Sequence, residues 1–160
     1  DSMETFILDG SDKDALSAAM RKIGEETRQP FYLRDADNVD LSACVVLFGA
    51  QDTYRGLPHC GYCGCNDCFG ANKSGAHCAF AVGDLGIAIG SAVSVAAAHH
   101  IDNRIMFSAG KAALTLDIFS KKVCLAYGVP LSTSEKSPYY DRPAVPPASS
   151  AATPSSCNQK

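Results

Sequence analysis

Twenty residues constrain this chain more than any others: His59-Cys60-Gly61-Tyr62-Cys63-Gly64-Cys65-Asn66-Asp67-Cys68, followed nine residues later by His77-Cys78. Five of the eight cysteines fall between His59 and Cys78, too dense a cluster for ordinary packing. A soft metal centre needs several thiolates converging from a short, turn-rich segment. The spacing Cys60-x2-Cys63-x4-Cys68 allows that, with Gly61 and Gly64 free to take the strained turns between the sulfurs.

Iron–sulfur clusters are held by runs of this kind, with a fourth cysteine from further along the chain. Cys78 is the natural candidate, so the segment reads as one [4Fe-4S] site held by Cys60, Cys63, Cys68 and Cys78. Three alternatives stand beside it. Zinc takes the same thiolates in paired C-x2-C spacings, but the second pair is missing unless Cys65 and Cys68 supply it. Disulfides among Cys63, Cys65 and Cys68 are disfavoured because the residues stand too close in sequence to pair comfortably. Cys65 could also replace Cys68 or Cys78 as a ligand, leaving one thiol spare.

The remaining composition narrows the setting. A chain of 160 residues fills one core and is short for two. We therefore expect a single domain over 1–142 with the cluster loop at 57–80. The Pro/Ala/Ser-rich tail, 143–160, cannot bury a core and is expected to be disordered or laid along a neighbour, with Cys157 a free thiol. A net charge of -3 and the lack of any Lys/Arg run give no electrostatic basis for nucleic-acid binding. The chain opens Asp1-Ser2-Met3-Glu4, without the basic and apolar regions of a signal peptide. Eight cysteines then point to a reducing compartment, the cytoplasm by default. What precedes Asp1 is left open by the missing initiator methionine.

Along the chain, Thr5-Phe6-Ile7-Leu8 has strand character, and a helix is expected from about Lys13 to Thr27, capped by Ser11 or Asp12 and ended by Gln29-Pro30. Phe31-Tyr32-Leu33 reads as a brief strand and Arg34 to Asn38 as a solvated turn or single helical turn. Ala43 to Gly49 is continuously apolar, the pattern of a strand buried on both faces of a helix-covered sheet, with Cys44 an inert core residue. The cysteine loop leaves the end of this strand, where open α/β sheets bind ligands. Leu85 to Ala98 is apolar or small all round, and fourteen residues are too few to span a bilayer, so a buried helix is expected and no membrane. Gly86, Gly90 and Ser94 form a small-residue ridge suited to close helix packing, within the chain or in a symmetric dimer. His99 and His100 are tempting as ligands or acid–base groups, but equally suit the negative end of a helix. A further helix is expected from about Ile105 to Phe119. Arg104 in its first turn opposes the helix dipole and hints at a specific partner for the guanidinium. Val123 to Gly128 reads as a strand closed by Val129-Pro130.

Several segments together resemble a family of bacterial and archaeal proteins described as containing a ferredoxin domain (domain of unknown function 2148). They are Phe31 to Ala36, Cys60-Gly61-Tyr62-Cys63-Gly64, His77-Cys78-Ala79-Phe80, Asp84 to Val93, Asp102 to Met106, Gly128 to Ser132 and Tyr140-Asp141-Arg142. The resemblance implies a bound [4Fe-4S] cluster and no established reaction. Cys65 departs from the family pattern, which more often has a bulky apolar residue there, and the family's N-terminal helical segment is absent. The cysteine motif is also similar to the cluster-binding segment of the corrinoid iron–sulfur protein's large subunit, where the last gap is longer. A weaker likeness runs from Asp84 through Pro130 to the second half of flavin-dependent nitroreductases, which are intertwined homodimers. It implies a dimer interface along Gly86, Gly90 and Ser94 and a place for Arg142 as a ligand of an FMN phosphate. The basic, serine-containing flavin motif of nitroreductases is not visible in this chain.

The expected fold is thus α/β, with α+β as the alternative: a small helix-covered, nitroreductase-like sheet with an inserted cysteine-rich loop. The leading expectation is a [4Fe-4S] electron carrier or accessory subunit that exchanges electrons with a redox protein partner and forms a homodimer or larger assembly. The alternatives are a reductase whose FMN or small substrate is held by Arg104 and Arg142 beside the cluster, and a metal that only staples the loop.

Overall fold

The computed structural model describes residues 2–140. Arg142, the 143–160 tail and Cys157 lie outside the described residues. The elements follow as β1 (Met3–Leu8), α1 (Gly10–Thr27), α2 (Pro30–Asp40), β2 (Cys44–Gln51), α3 (Cys68–Ser74), α4 (Ala79–Ala98), β3 (Asp102–Asn103), α5 (Phe107–Ala113) and β4 (Val123–Ser132). The strands make one antiparallel sheet in the order β1-β2-β4-β3.

β2 is the strand buried on both faces, and the alternation of its side chains divides the core in two. Val45 and Leu47 point to one face and join Leu16, Met20, Tyr32, Val39 and Ala109 under α1, α2 and α5. Phe48 and Ala50 point to the other face and join Leu85 and Ile89 of α4. The helix-covered sheet expected from the sequence is therefore present, with antiparallel pairing throughout.

Phe31-Tyr32-Leu33 lies in a helix and not in a strand. Arg28 turns the chain left-handed (φ 56°) at the end of α1, Gln29 is extended, and Pro30 opens α2. A proline at that first position loses no hydrogen bond, since its N–H would have had no partner within the helix. Tyr32, Ala36 and Val39 then repeat at helical spacing and are buried. Asp35, expected in a solvated turn, is buried too: its carboxylate accepts from Arg34 Nη2 at 2.7 Å and from Ser108 Oγ at 2.6 Å.

α5 is shorter than the sequence promises at both ends: Met106 exchanges two backbone hydrogen bonds with Gly128 (2.8 and 3.0 Å) and delays the helix to Phe107, and after Ala113 the helix gives way to turns. Arg104 consequently precedes the helix instead of sitting in its first turn. Gly110 lets α5 lie directly on β4, since a Cβ there would stand 1.9 Å from the Ala126 carbonyl oxygen. β4 continues through Pro130 to Ser132 and does not stop at Val129-Pro130. Leu131 O accepts from Ala43 N on the β2 side, so the neighbouring Pro130 nitrogen faces away from β2, past the end of β3, where no ladder bond is lost. Tyr139 is fully buried and shares a 2.8 Å hydrogen bond with Ser42 Oγ; burial pushes its phenol up to about 12.

α4 departs most from expectation. It runs for 20 residues, so by length and composition it could cross a membrane, and it is not a buried core helix. Ala81, Leu85 and Ile89 pack inward, while Val82, Ile87 and Val95 are exposed, Ile87 at 73%. The ridge faces outward: a Cβ added at Gly86 or Gly90 meets nothing within 4 Å, so the ridge serves no packing among the described residues. The inner stripe and an ion pair from Asp84 to Arg55 hold α4 to the sheet and the cysteine loop.

Candidate metal centre

The loop from Asp52 to Asp67 carries Cys60, Cys63 and Cys65 between β2 and α3, and five contacts fasten it to the segment that leads into α4 and to the first turns of α4. Asp52 Oδ1 accepts from Cys78 N at 2.9 Å, and its Oδ2 lies 2.8 Å from His77 Nδ1. The Tyr54 hydroxyl donates to Ala76 O at 2.7 Å, and Arg55 pairs with Asp84. The ring of Tyr62 stacks on Phe80 with centroids 5.6 Å apart. Within the loop His59 (φ 55°), Gly61 (64°) and Gly64 (81°) take left-handed conformations, and Gly64 N donates to Gly61 O at 2.9 Å. The sharp turns read from the two glycines are there, and His59 and Gly56 (φ 66°) add two more.

Cys60, Cys63, Cys65, Cys68 and Cys78 line one pocket, with Tyr54 beside them. Cys68 opens α3, where Asp67 caps the helix by accepting from Gly70 N at 2.7 Å. Cys78 is buried and stands at the N-cap of α4, where its own side chain makes no capping hydrogen bond and Asp52 holds its backbone N–H. The first residues of α4, Ala79 and Phe80, line the pocket with Cys78, so the positive end of the α4 dipole lies at the thiols, which favours an anionic thiolate centre. Cys65 lines the same pocket, with its Sγ 3.8 Å from Ser74 Oγ. The four other pocket thiols have no such polar neighbour among the described contacts. The five cysteines are all free thiols, and five soft donors around one pocket fit an iron–sulfur centre.

Tyr54 marks the electrostatic character of the place. Desolvation first, then the negative charge of Asp52 and of nearby cysteines, push its phenol above the ordinary tyrosine range. Cys44 lies away from this pocket. It is half-buried and belongs to neither core cluster, so it is not the core residue expected; its partial burial, with the Asp9 carboxylate adding to it, pushes its thiol up.

The other sequence-derived residues are not brought here. Arg104 has the specific partner its odd position implied, but that partner is the chain itself: Nη1 donates to Tyr139 O at 3.1 Å and the guanidinium lies 5.8 Å from the centre of the Tyr140 ring. Arg104 is not among the residues lining the cysteine pocket, and Arg142 is outside the described residues. His99 and His100 end α4 in the open. Sequence reasoning missed Asp52, Tyr54 and Arg55, which tie the loop to α4. One signal was present: Asp52 is the first residue beyond the central strand, where ligand-positioning groups collect.

The fold and pocket define a helix-covered antiparallel sheet that carries a cysteine-rich metal-type loop. Residues 74–142 match the family described as uncharacterized protein containing a ferredoxin domain (DUF2148). The chain is 39% identical over 150 residues to an uncharacterized protein of Archaeoglobus fulgidus, an alignment covering 89% of this chain and 80% of that relative. The chain therefore belongs to this ferredoxin-domain family. No solved structure gives a significant match, so the likeness to nitroreductases gains no support from that side.

Proposed function

We propose that Cys60, Cys63, Cys68 and Cys78 hold a [4Fe-4S] cluster and that the protein is an electron carrier or accessory subunit. The observation that carries this reading is the convergence of the loop thiols on one pocket at the start of α4. When bound, such a cluster accepts and releases single electrons. The chain's own residues set the conditions: Asp52, Tyr54 and Arg55 fix the loop, and backbone N–H groups near the turns and the start of α4 are placed to favour negative charge. Cys60, Cys63, Cys65 and Cys68 are only half-buried. Around them Tyr62 and Phe69 stand 76% and 77% exposed, an apolar rim on which a redox protein partner can dock. A purely structural staple would need neither feature.

Anaerobic purification with iron and sulfide analysis tests this, with about four of each expected per chain. Cys78→Ser is expected to lose most of the iron and Cys65→Ser to keep it. Zinc in place of iron, or a cluster that dithionite cannot reduce, overturns the reading.

The same reading includes a second copy of the chain on the outer face of α4. Val82, Ile87 and Val95 with the open glycines of the ridge form an apolar stripe whose flat surface is self-complementary under a two-fold axis. Light scattering is expected to give a dimer, and Ile87→Glu a monomer. A monomeric parent protein, or one that needs detergent to stay dispersed, overturns this part.

A further inference from the structure

The geometry points to a second, mononuclear metal site beside the cysteine pocket, formed by Asp52, His77 and Cys124 and suited to a divalent transition ion of the zinc class. The three residues lie far apart in sequence, and no motif joins them. In the fold, one ligand atom from each lies within 4.8 Å of the other two. Donors around a tetrahedral ion with bonds of 2.0–2.3 Å stand roughly 3.3–3.8 Å apart, so small side-chain rotations close the site. A carboxylate, an imidazole and a thiolate together make the mixed O/N/S donor set that borderline-soft divalent ions take.

Two features show that the trio is more than proximity. The first is the way Cys124 is presented. Ala50 pairs with Leu125 and Gln51 with Val123, so Cys124 is the extra residue of a bulge with nothing opposite it. A bulge re-aims a side chain that regular pairing would have pointed elsewhere. The second is the space in front. His77 and Cys124 line a cavity of about 260 Å³ whose wall also includes Lys111 and Tyr127. Three protein ligands, two of which (His77 and Cys124) line an open cavity, suit a site that keeps one coordination position for water or a substrate. Lys111 and Tyr127 would then face whatever anionic or polar group occupies that position.

The site is also connected to the first one. Asp52 already holds His77 by one oxygen and the backbone N–H of Cys78 by the other, so an ion there shares a carboxylate with the clamp on the buried cluster cysteine. It does not depend on what the cysteine pocket binds.

Titrating anaerobically purified, cluster-loaded protein with Co2+ tests the proposal, followed as a difference spectrum for thiolate-to-cobalt charge transfer and as bound cobalt per chain. One equivalent is expected beyond the iron. Cys124→Ser, at an exposed position that does not line the cysteine pocket, should abolish the charge-transfer band, weaken Co2+ binding at least tenfold, and leave the iron content and thermal midpoint unchanged. A Cys63→Ser protein should still take up the ion with the same band. Cobalt uptake that is unaffected by Cys124→Ser, or that disappears with Cys63→Ser alone, overturns it.

Discussion

The carboxylate of Asp52 accepts the backbone N–H of Cys78 at 2.9 Å, fixing the end of the central strand to the residue that begins the longest helix. A single side chain thereby sets where the loop thiols stand relative to the buried one. Asp52→Ala removes this bond and the one to His77, each charge-assisted and costing on the order of 1.5–3 kcal/mol. The expected outcome is a lower unfolding midpoint and faster loss of iron to a chelator. Asp52→Asn keeps an acceptor for Cys78 N–H and should fall between the two. Chelator kinetics that are identical in all three proteins would contradict this role.

Two glycines of similar appearance should behave in opposite ways. At Gly110 a Cβ would press into the backbone of Ala126, so Gly110→Ala must lift α5 from β4, costing about 1–3 kcal/mol or more. At Gly86 the added methyl meets nothing among the described residues. Gly86→Ala should raise monomer stability by up to about 1 kcal/mol through helix propensity, while weakening any dimer built on the ridge. Urea unfolding of both variants decides the first contrast, and sedimentation the second.

Tyr139 links stability to alkaline pH. Its phenol, at about 12 in the folded chain, lies above the unfolded value near 10. The unfolded state therefore loses its proton first as pH rises. The stabilisation is fully present below about pH 10 and is lost as pH climbs through 12. Tyr139→Phe should cost about 1 kcal/mol at neutral pH through the missing bond to Ser42, and its stability should fall less steeply between pH 10 and 12. Equal slopes in the two proteins would show that Tyr139 does not control this limb.

Arg104 separates the structural from the flavin-binding role. With its guanidinium engaged by Tyr139 O and the Tyr140 ring, Arg104→Ala should loosen residues 139–140 at a cost near 1 kcal/mol. Hydrogen exchange should rise there while iron content stays unchanged. A flavin that copurifies with the parent protein and is lost in Arg104→Ala would instead restore the cofactor role.

Local chemistry made part of this protein legible. The spacing of Cys60, Cys63, Cys68 and Cys78 specified converging thiols, and the structure adds that Cys65 lines the same pocket. The unbroken apolar run of β2 specified a strand buried on both sides, because every residue along it has to meet a core. Phe31-Tyr32-Leu33 was misleading, since three apolar residues carry no period and Pro30 marks the end of one helix and the start of the next equally well.

By itself, then, the sequence determined the cluster of loop thiols, the central strand and the apolar character of α4, all of which follow from residue type and spacing along a few turns of chain. Only the tertiary structure decided that α4 leaves its ridge exposed, that Arg104 turns inward to the chain's own Tyr139, and that Asp52, His77 and Cys124 meet. The last two outcomes rest on contacts between residues 25 to 72 positions apart, and the first on which face of α4 the sheet takes. No local pattern of hydrophobicity or charge carries information over that separation. The cysteine loop could be read from its own letters, while the carboxylate that clamps it could be found only once the strand end and the helix start had been brought together.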